Sequence, residues 1–318
     1  MESDSRDDAL RWLLAGDVSI RWQAMRDLLN APPSQWQPVQ VKVGEEGWGA
    51  RLLKHQDGDG RWTPRLYGYK WISTTYSMVL LRRLGLPPGH PMAVKSCLLF
   101  LEEAQSEDGG IIVAVTQKVS ETCVTGMVLA LLSWFQVDDP RRELLVEYLL
   151  NEQMDDGGWN CLRCQGASHS SFHTTINVLE GLREYVEIGG SRTLEVLAAE
   201  ARAREFFLAH RLYRSHRTGE VSNPAFTRFS FPPRWHHDVL RTLDYFRDSN
   251  APYDERLEDP ISIVLKKRMK DGRWNLQNRY PGRTFFEMEQ PGKPSRWNTL
   301  RSLRVIDWWN RVSIDSER

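Results

Sequence analysis

The sequence predicts an all-helical protein of about five to six helix-pair repeats, closed into a toroid or stacked as a solenoid. Three observations predict it. A short polar loop recurs at nearly constant spacing, the segment after each copy aligns with its counterparts, and each such segment leads into an apolar run with helical spacing.

The loop reads Gln, two residues, Asp-Gly, one residue, Trp. Copies stand at Gln56, Asp59, Gly60, Trp62 and at Gln153, Asp156, Gly157, Trp159. A third at Gln105, Asp108, Gly109 has Ile111 in the Trp place, and a looser one is Arg268, Asp271, Gly272, Trp274. The Gln steps are 49 and 48 residues, and the 115 residues from 153 to 268 leave room for a degenerate copy near His210-Arg211-Leu212. After the loops come Trp71-Ile72-Ser73-Thr74-Thr75, Ser120-Glu121-Thr122-Cys123, Ser171-Phe172-His173-Thr174-Thr175, Arg234-Trp235-His236-His237-Asp238 and Ser295-Arg296-Trp297-Asn298. Their Ser and Thr residues are expected N-caps of the following Leu-rich helices. A second helix follows each, such as 140–151, and ends at the next loop. A period near 50 with two helices per unit means a closed toroid or a solenoid. Leu10 to Leu29 supplies one or two further helices that cap or complete the ring. The expected division is 1–40, an N-terminal helical extension packing on the ring, and 41–318, the toroid.

Composition narrows the partners. Lys+Arg and Asp+Glu are both 42, so the balanced charge gives no footprint for nucleic acid or an anionic membrane. No run of 18 apolar residues exists, so no transmembrane segment is expected. The acidic start, Met1 to Asp8, has no apolar signal core, and a cytoplasmic location is expected. There the cysteines, Cys97, Cys123, Cys161 and Cys164, read as buried thiols or metal ligands rather than disulfides. Thirteen Trp imply repeated structural use, an aromatic-lined cavity, or both.

The Gln-x-x-Asp-Gly-x-Trp loops resemble the repeat signature of squalene–hopene and oxidosqualene cyclases, a superfamily that also holds the β subunits of protein prenyltransferases. The resemblance covers roughly residues 45 to 310. It implies an α/α toroid (barrel) of about five to six helix-pair repeats, with an inner ring of helices around a cavity, an outer ring, and loops at one mouth. Trp62, Trp159 and Trp274 then belong to the scaffold. One departure matters: the Asp-x-Asp-Asp acid of class II cyclases is missing, and Val137-Asp138-Asp139-Pro140 reads as a helix start. Alkene-protonating cyclisation is therefore not expected.

Aligning the inner-helix starts puts Cys123 and His173 at equivalent positions, five residues before Val128 and Val178. They are expected side by side on neighbouring helix N-termini. Glu121-Thr122-Cys123 with His173 resembles the acidic residue, spacer, Cys and later His that hold catalytic zinc in prenyltransferase β subunits, with Glu for Asp. Zinc accepts such a set with one position left open for chemistry. Cys161 is a further expected ligand, with Cys164 and His169 as alternates, since Cys-x2-Cys-x4-His-x3-His also passes as a zinc cluster. His237 and Asp238 form a candidate acid/base pair; the plainer alternative is a helix cap at Asp238 and a core His. Trp71, Tyr76, Phe172, Trp235 and Trp297 are expected to line the mouth for an apolar ligand, with Arg234 and Arg296 as anion contacts.

The expected function is that of an enzyme acting on an isoprenoid or other apolar small molecule, with Zn2+ at the mouth and a protein partner or second copy as a further possibility. The alternatives are a non-catalytic isoprenoid or lipid binder and a helical-repeat interaction scaffold with a filled centre.

Overall fold

A computed structural model describes residues 2–316. The described residues are mainly α-helical, with one two-residue antiparallel pairing, Trp274–Asn275 with Pro294–Ser295, and three isolated β-bridges. Six helices surround an axis: α2 (Val18–Asp27), α5 (Thr74–Leu84), α7 (Thr122–Trp134), α9 (Phe172–Glu187), α11 (Val239–Asp248) and α13 (Arg296–Ser316). Outside them lie α1 (Glu2–Leu14), α3 (Pro33–Val41) with α4 (Gly47–Leu53), α6 (Pro91–Glu103), α8 (Arg142–Asn151), α10 (Thr193–Ala209) and α12 (Glu258–Lys266). The ring closes where α13 packs against α1 and α2, and α2 takes the sixth inner place. Among the described residues no helix is long and apolar enough to cross a membrane.

The recurring loop residues are the joints of this ring. Each Trp indole N–H donates to a carbonyl ten residues back, in the last turns of the preceding outer helix: Trp62 to Leu52 O at 2.9 Å, Trp159 to Leu149 O at 2.7 Å and Trp274 to Val264 O at 2.8 Å. Those carbonyls lie among the unpaired groups every helix end leaves behind. At the same positions Trp62, Ile111, Trp159 and Trp274 donate their backbone N–H to Thr74, Thr125, Thr175 and Thr299 Oγ1 in the next inner helix. The Gln amides reach onward: Gln56 donates to Met92 O, Gln105 to Arg141 O and Gln153 to Ala199 O, on or beside the following outer helix. Trp thus ties each unit together and Gln ties it to its neighbour.

The helix starts follow the sequence reading except at α7, which starts after Glu121 without a side-chain cap, Ser120 bonding Asp108 instead. Ser73, Ser171, Ser295 and Asp238 cap the inner helices by accepting the N–H three residues on. Near the degenerate copy the chain turns without glycine, Arg211 and Leu212 both holding positive φ. Helices α7 and α9 touch closely because Gly126 and Gly181 face each other; a Cβ on Gly181 would stand 2.3 Å from Gly126 O.

Gly157 turns the third loop at φ +92°, where an added Cβ would meet Arg202 O at 2.5 Å. Gly157→Ala is expected to cost about 1–3 kcal/mol, read as a lower urea midpoint. Gly58→Ala, in open space, is the control and should leave the midpoint unchanged.

Candidate functional site

At the N-terminal mouth of the inner ring, two of the expected metal ligands, Cys123 and Cys161, come together, while His173 and Glu121 turn away from them. Cys123 meets Cys161: its backbone N–H donates to Cys161 Sγ at 3.2 Å. His173 looks the other way, its Nδ1 accepting the His237 N–H at 2.8 Å, with its ring edge-on to Trp235. Glu121 turns back into its own loop, where Oε2 accepts from Val113 and Ala114 N–H. Among the described residues no three His, Cys, Asp or Glu side chains are grouped to hold a metal ion. The reason is rotational. Equivalent positions on successive helices of a ring point the same way around it, so Cys123 reaches the unit after it and His173 the unit after that. Side-by-side helix starts therefore do not bring these donors to one point, and the set does not fit a single zinc.

What the mouth does build is an asymmetric thiol pair. Hydrogen bonds from the Cys123 thiol, the Thr174 hydroxyl and the Cys123 N–H draw Cys161 down to about 7 against burial. The same Cys161 contact, with burial, pushes Cys123 well up.

The expected acid/base pair serves structure. His237 is fully buried and both ring nitrogens are engaged, Nε2 with Leu212 O and Nδ1 with Thr242 Oγ1. Asp238 caps α11 and accepts from Ser230 Oγ at 2.7 Å. Nor is the mouth open. Trp71 is buried and donates to Tyr280 and Pro281 carbonyls, Tyr280 sits 3.5 Å from the His236 ring, and Arg234 is buried over Trp71. Tyr76 bonds Tyr67, Phe172 packs among Phe206, Phe207 and Phe226, and Trp235 lies against His173 and His236. Arg296 lies over Trp12 and donates to its carbonyl. Of the expected ligand-contacting residues, only Trp297 faces the large internal cavity.

That cavity, about 370 Å³, runs along the axis toward the C-terminal ends of α2, α5, α7, α9 and α11. Trp297 and Phe231, stacked at 4.1 Å, belong to its buried part, and the half-exposed Glu187 and Asp248 to its rim. Trp22, Trp134 and Tyr245 add aromatic wall. The rest is charged: eight arginines and five carboxylates line it. Glu180 is the hub. It accepts from Arg241 Nε at 2.8 Å and Nη2 at 2.9 Å, and pairs with Arg83 at 2.7 Å. Burial alone would raise its carboxyl, but Arg241 and then Arg83 outweigh burial and hold it far below the usual carboxylate range. Asp244 is the second hub, bonded by Arg304 and approached by Arg301 at 3.4 Å, while Arg304 also reaches Asp27 at 2.9 Å. Burial brings Arg83 down to about 10 despite Glu180.

Sequence reasoning missed these groups, although a signal was there. Arg82-Arg83, Glu180-x-x-Arg183-Glu184, Arg241-x-x-Asp244-x-x-Arg247 and Arg301-x-x-Arg304 put charges at helical spacing on helices otherwise read as core. A charged stripe on an inner helix faces the axis of the ring.

Two expectations follow. Glu180→Gln strands Arg83 and Arg241 and should cost about 3–5 kcal/mol, measured by urea unfolding. His173 and His236 are lowered by burial to about 4 and about 3, so folding favours the neutral rings. Their stabilisation is complete above the unfolded value near 6.5 and is lost as pH falls toward the folded values. The urea midpoint should drop between about pH 7 and about pH 4.5, and His236→Gln should make that drop shallower.

No protein-family model matches the sequence, and no curated protein does. Solved structures do. A variant of the type II terpene cyclase MstE from Scytonema, in complex with geranylgeranyl dihydroxybenzoate, is 15% identical and superposes with a TM-score of 0.50 over 98% of each chain. A protein from Actinoplanes gives 15% identity and 0.49 over 98% of this chain and 100% of that one. Ligand-free MstE gives 15% identity and 0.48 over 98% of each. At these identities the likeness speaks for architecture: the chain has a terpenoid cyclase-like α/α-toroid fold.

Proposed function

We propose that this protein binds a small molecule with an isoprenoid-type apolar part in the axial cavity of its toroid. The observation that carries the reading is the cavity itself. Its volume, about 370 Å³, lies within the range of about 300–1,000 Å³ usual for small-molecule sites, and Trp22, Trp134, Phe231, Tyr245 and Trp297 give it π faces on several sides. The substrate named for the MstE complex, geranylgeranyl dihydroxybenzoate, supports an isoprenoid as the ligand class to test first.

The reading is one of binding without alkene protonation. The Asp-x-Asp-Asp tetrad is absent from the sequence. The cavity carboxylates Glu180, Glu184 and Asp244 are all paired with arginines; that pairing holds Glu180 and Asp244 low against burial, whereas burial raises Glu184 despite Arg82. Zinc chemistry is not part of the proposal, because the thiol, imidazole and carboxylate at the mouth diverge.

One observation favours a second reading, a toroidal scaffold with a filled centre: the network through Glu180 and Asp244 spans α5, α9, α11 and α13 across the axis. Titration of geranylgeraniol, followed by tryptophan fluorescence, separates the two. Ligand binding predicts a saturable change, about tenfold weaker in Trp134→Leu. A flat titration in folded protein rejects the isoprenoid reading and leaves the scaffold.

A further inference from the structure

Three of the four cysteines gather at the N-terminal mouth, on two successive units. Cys123 opens α7, Cys161 follows the loop residue Trp159, and Cys164 stands three residues further on. The Cys161 sulfur sits between the starts of two inner helices. It accepts the Cys123 N–H at 3.2 Å, one of the N–H groups that α7 leaves unpaired within itself, and the Thr174 hydroxyl at 3.5 Å, from the first turn of α9. Two donors and two positive helix ends favour a negative sulfur there over a neutral one. Glu121 opposes this through its charge, but less strongly than the hydrogen bonds act. The pair is also within reach of solvent, Cys123 and Cys161 both being partly exposed, whereas Cys97 is sealed in the core. Cys164 is exposed, yet its thiol turns to the Cys161 carbonyl at 3.8 Å rather than to the sulfur. Only one rotatable bond, Cα–Cβ, separates the Cys123 nitrogen touching Cys161 from the Cys123 sulfur, and Cys161 is the neighbour that most affects that thiol.

We propose that Cys161 and Cys123 form a reversible dithiol–disulfide site oxidised by hydrogen peroxide, with Cys161 as the attacking thiolate and Cys123 as the resolving thiol. In the first step Cys161 Sγ attacks one peroxide oxygen and the O–O bond breaks. Hydroxide leaves and takes a proton from solvent to become water, and Cys161 is left as a sulfenic acid. In the second step the Cys123 sulfur attacks the Cys161 sulfur and the S–O bond breaks. The departing hydroxide takes the Cys123 proton, and the S–S bond forms. Peroxide gains two electrons and ends as two waters; the two thiols supply those electrons, and an added dithiol returns them. The bridge joins residues 38 positions apart and pins the start of α7 to the loop that leads into α9. It thereby reinforces, at the mouth, the helix pair already in close contact at Gly126 and Gly181. The site is separate from the axial cavity and does not depend on what that cavity binds.

The test treats the reduced full chain with a slight excess of hydrogen peroxide and maps the products by mass spectrometry without reduction. Lys118, Arg141, Arg142 and Arg163 let trypsin place Cys123, Cys161 and Cys164 on separate peptides. The expected result is a Cys123–Cys161 cross-link, with two of the four thiols lost and regained on adding dithiothreitol. Cys161→Ser should abolish the cross-link, and Cys164→Ser should form it as wild type does. Cys123→Ser combined with Cys164→Ser should stop at the Cys161 sulfenic acid, which dimedone traps. Thr174→Val removes one donor from the Cys161 sulfur and should slow bridging about threefold, with thermal unfolding confirming that each variant folds. Oxidised wild type should unfold a few degrees above the reduced form. A cross-link mapped to Cys161–Cys164, oxidation that begins at Cys164, or four intact thiols in folded protein overturns the pair. An unchanged rate in Thr174→Val overturns the part given to the helix-start donors.

Discussion

The indole N–H of a loop tryptophan, donated to a carbonyl at the end of the preceding outer helix, is the contact on which this toroid turns. It closes one unit at Trp62, Trp159 and Trp274, and the backbone N–H of the same residue grips a threonine of the next inner helix. One residue therefore sets both where an outer helix stops and where the following inner helix begins. The left-handed glycine two residues earlier makes the turn tight enough for both bonds to form together. Ile111 keeps the backbone bond but has no indole donor, so one joint holds by burial and the threonine alone.

This joint explains why the architecture was legible in the sequence and the chemistry was not. A hydrogen bond that needs Trp, Gly and Gln at fixed offsets leaves a periodic mark, and the mark counts the units. The same period aligned Cys123 with His173 correctly. It says nothing about direction around the ring. The side chain at that register reaches forward in both units, Cys123 to Cys161 and His173 to the start of α11. Alignment of repeats equates environments, and equated residues are related by rotation rather than brought into contact. His237 and Asp238 fell to the more ordinary fate of groups at a helix start, an engaged core imidazole and a cap.

The charges at the axis were hidden for another reason. Read one helix at a time, Arg241, Asp244 and Arg247 mark an outward face, because charge on a lone amphipathic helix faces solvent. In a closed ring the inner helices have two apolar faces against their neighbours and one toward the axis, so the same stripe turns inward. A buried guanidinium is costly unless paired, and the chain meets that cost by sharing carboxylates. Glu180 serves Arg83 and Arg241 at once, and Asp244 serves Arg301 and Arg304. Shared acceptors leave some N–H groups over, Arg83 Nε and Arg301 Nη2 among them, and those are packed inside the protein.

A purely structural network and a ligand site make different demands on that remainder. A network selected only for stability gains by replacing surplus arginines with apolar side chains of similar volume, since buried ion pairs seldom outcompete hydrophobic packing. Keeping eight arginines around five carboxylates works against folding through desolvation and mutual repulsion, and Asp27, bonded to Arg26 and Arg304, offsets part of that. The aromatic residues beside them, Trp297 on Phe231 foremost, lower the local polarity and strengthen any ion contact made there. The shared carboxylates and their arginines are thus parts of one arrangement, a buried charge network whose pairing is spread over α5, α9, α11 and α13.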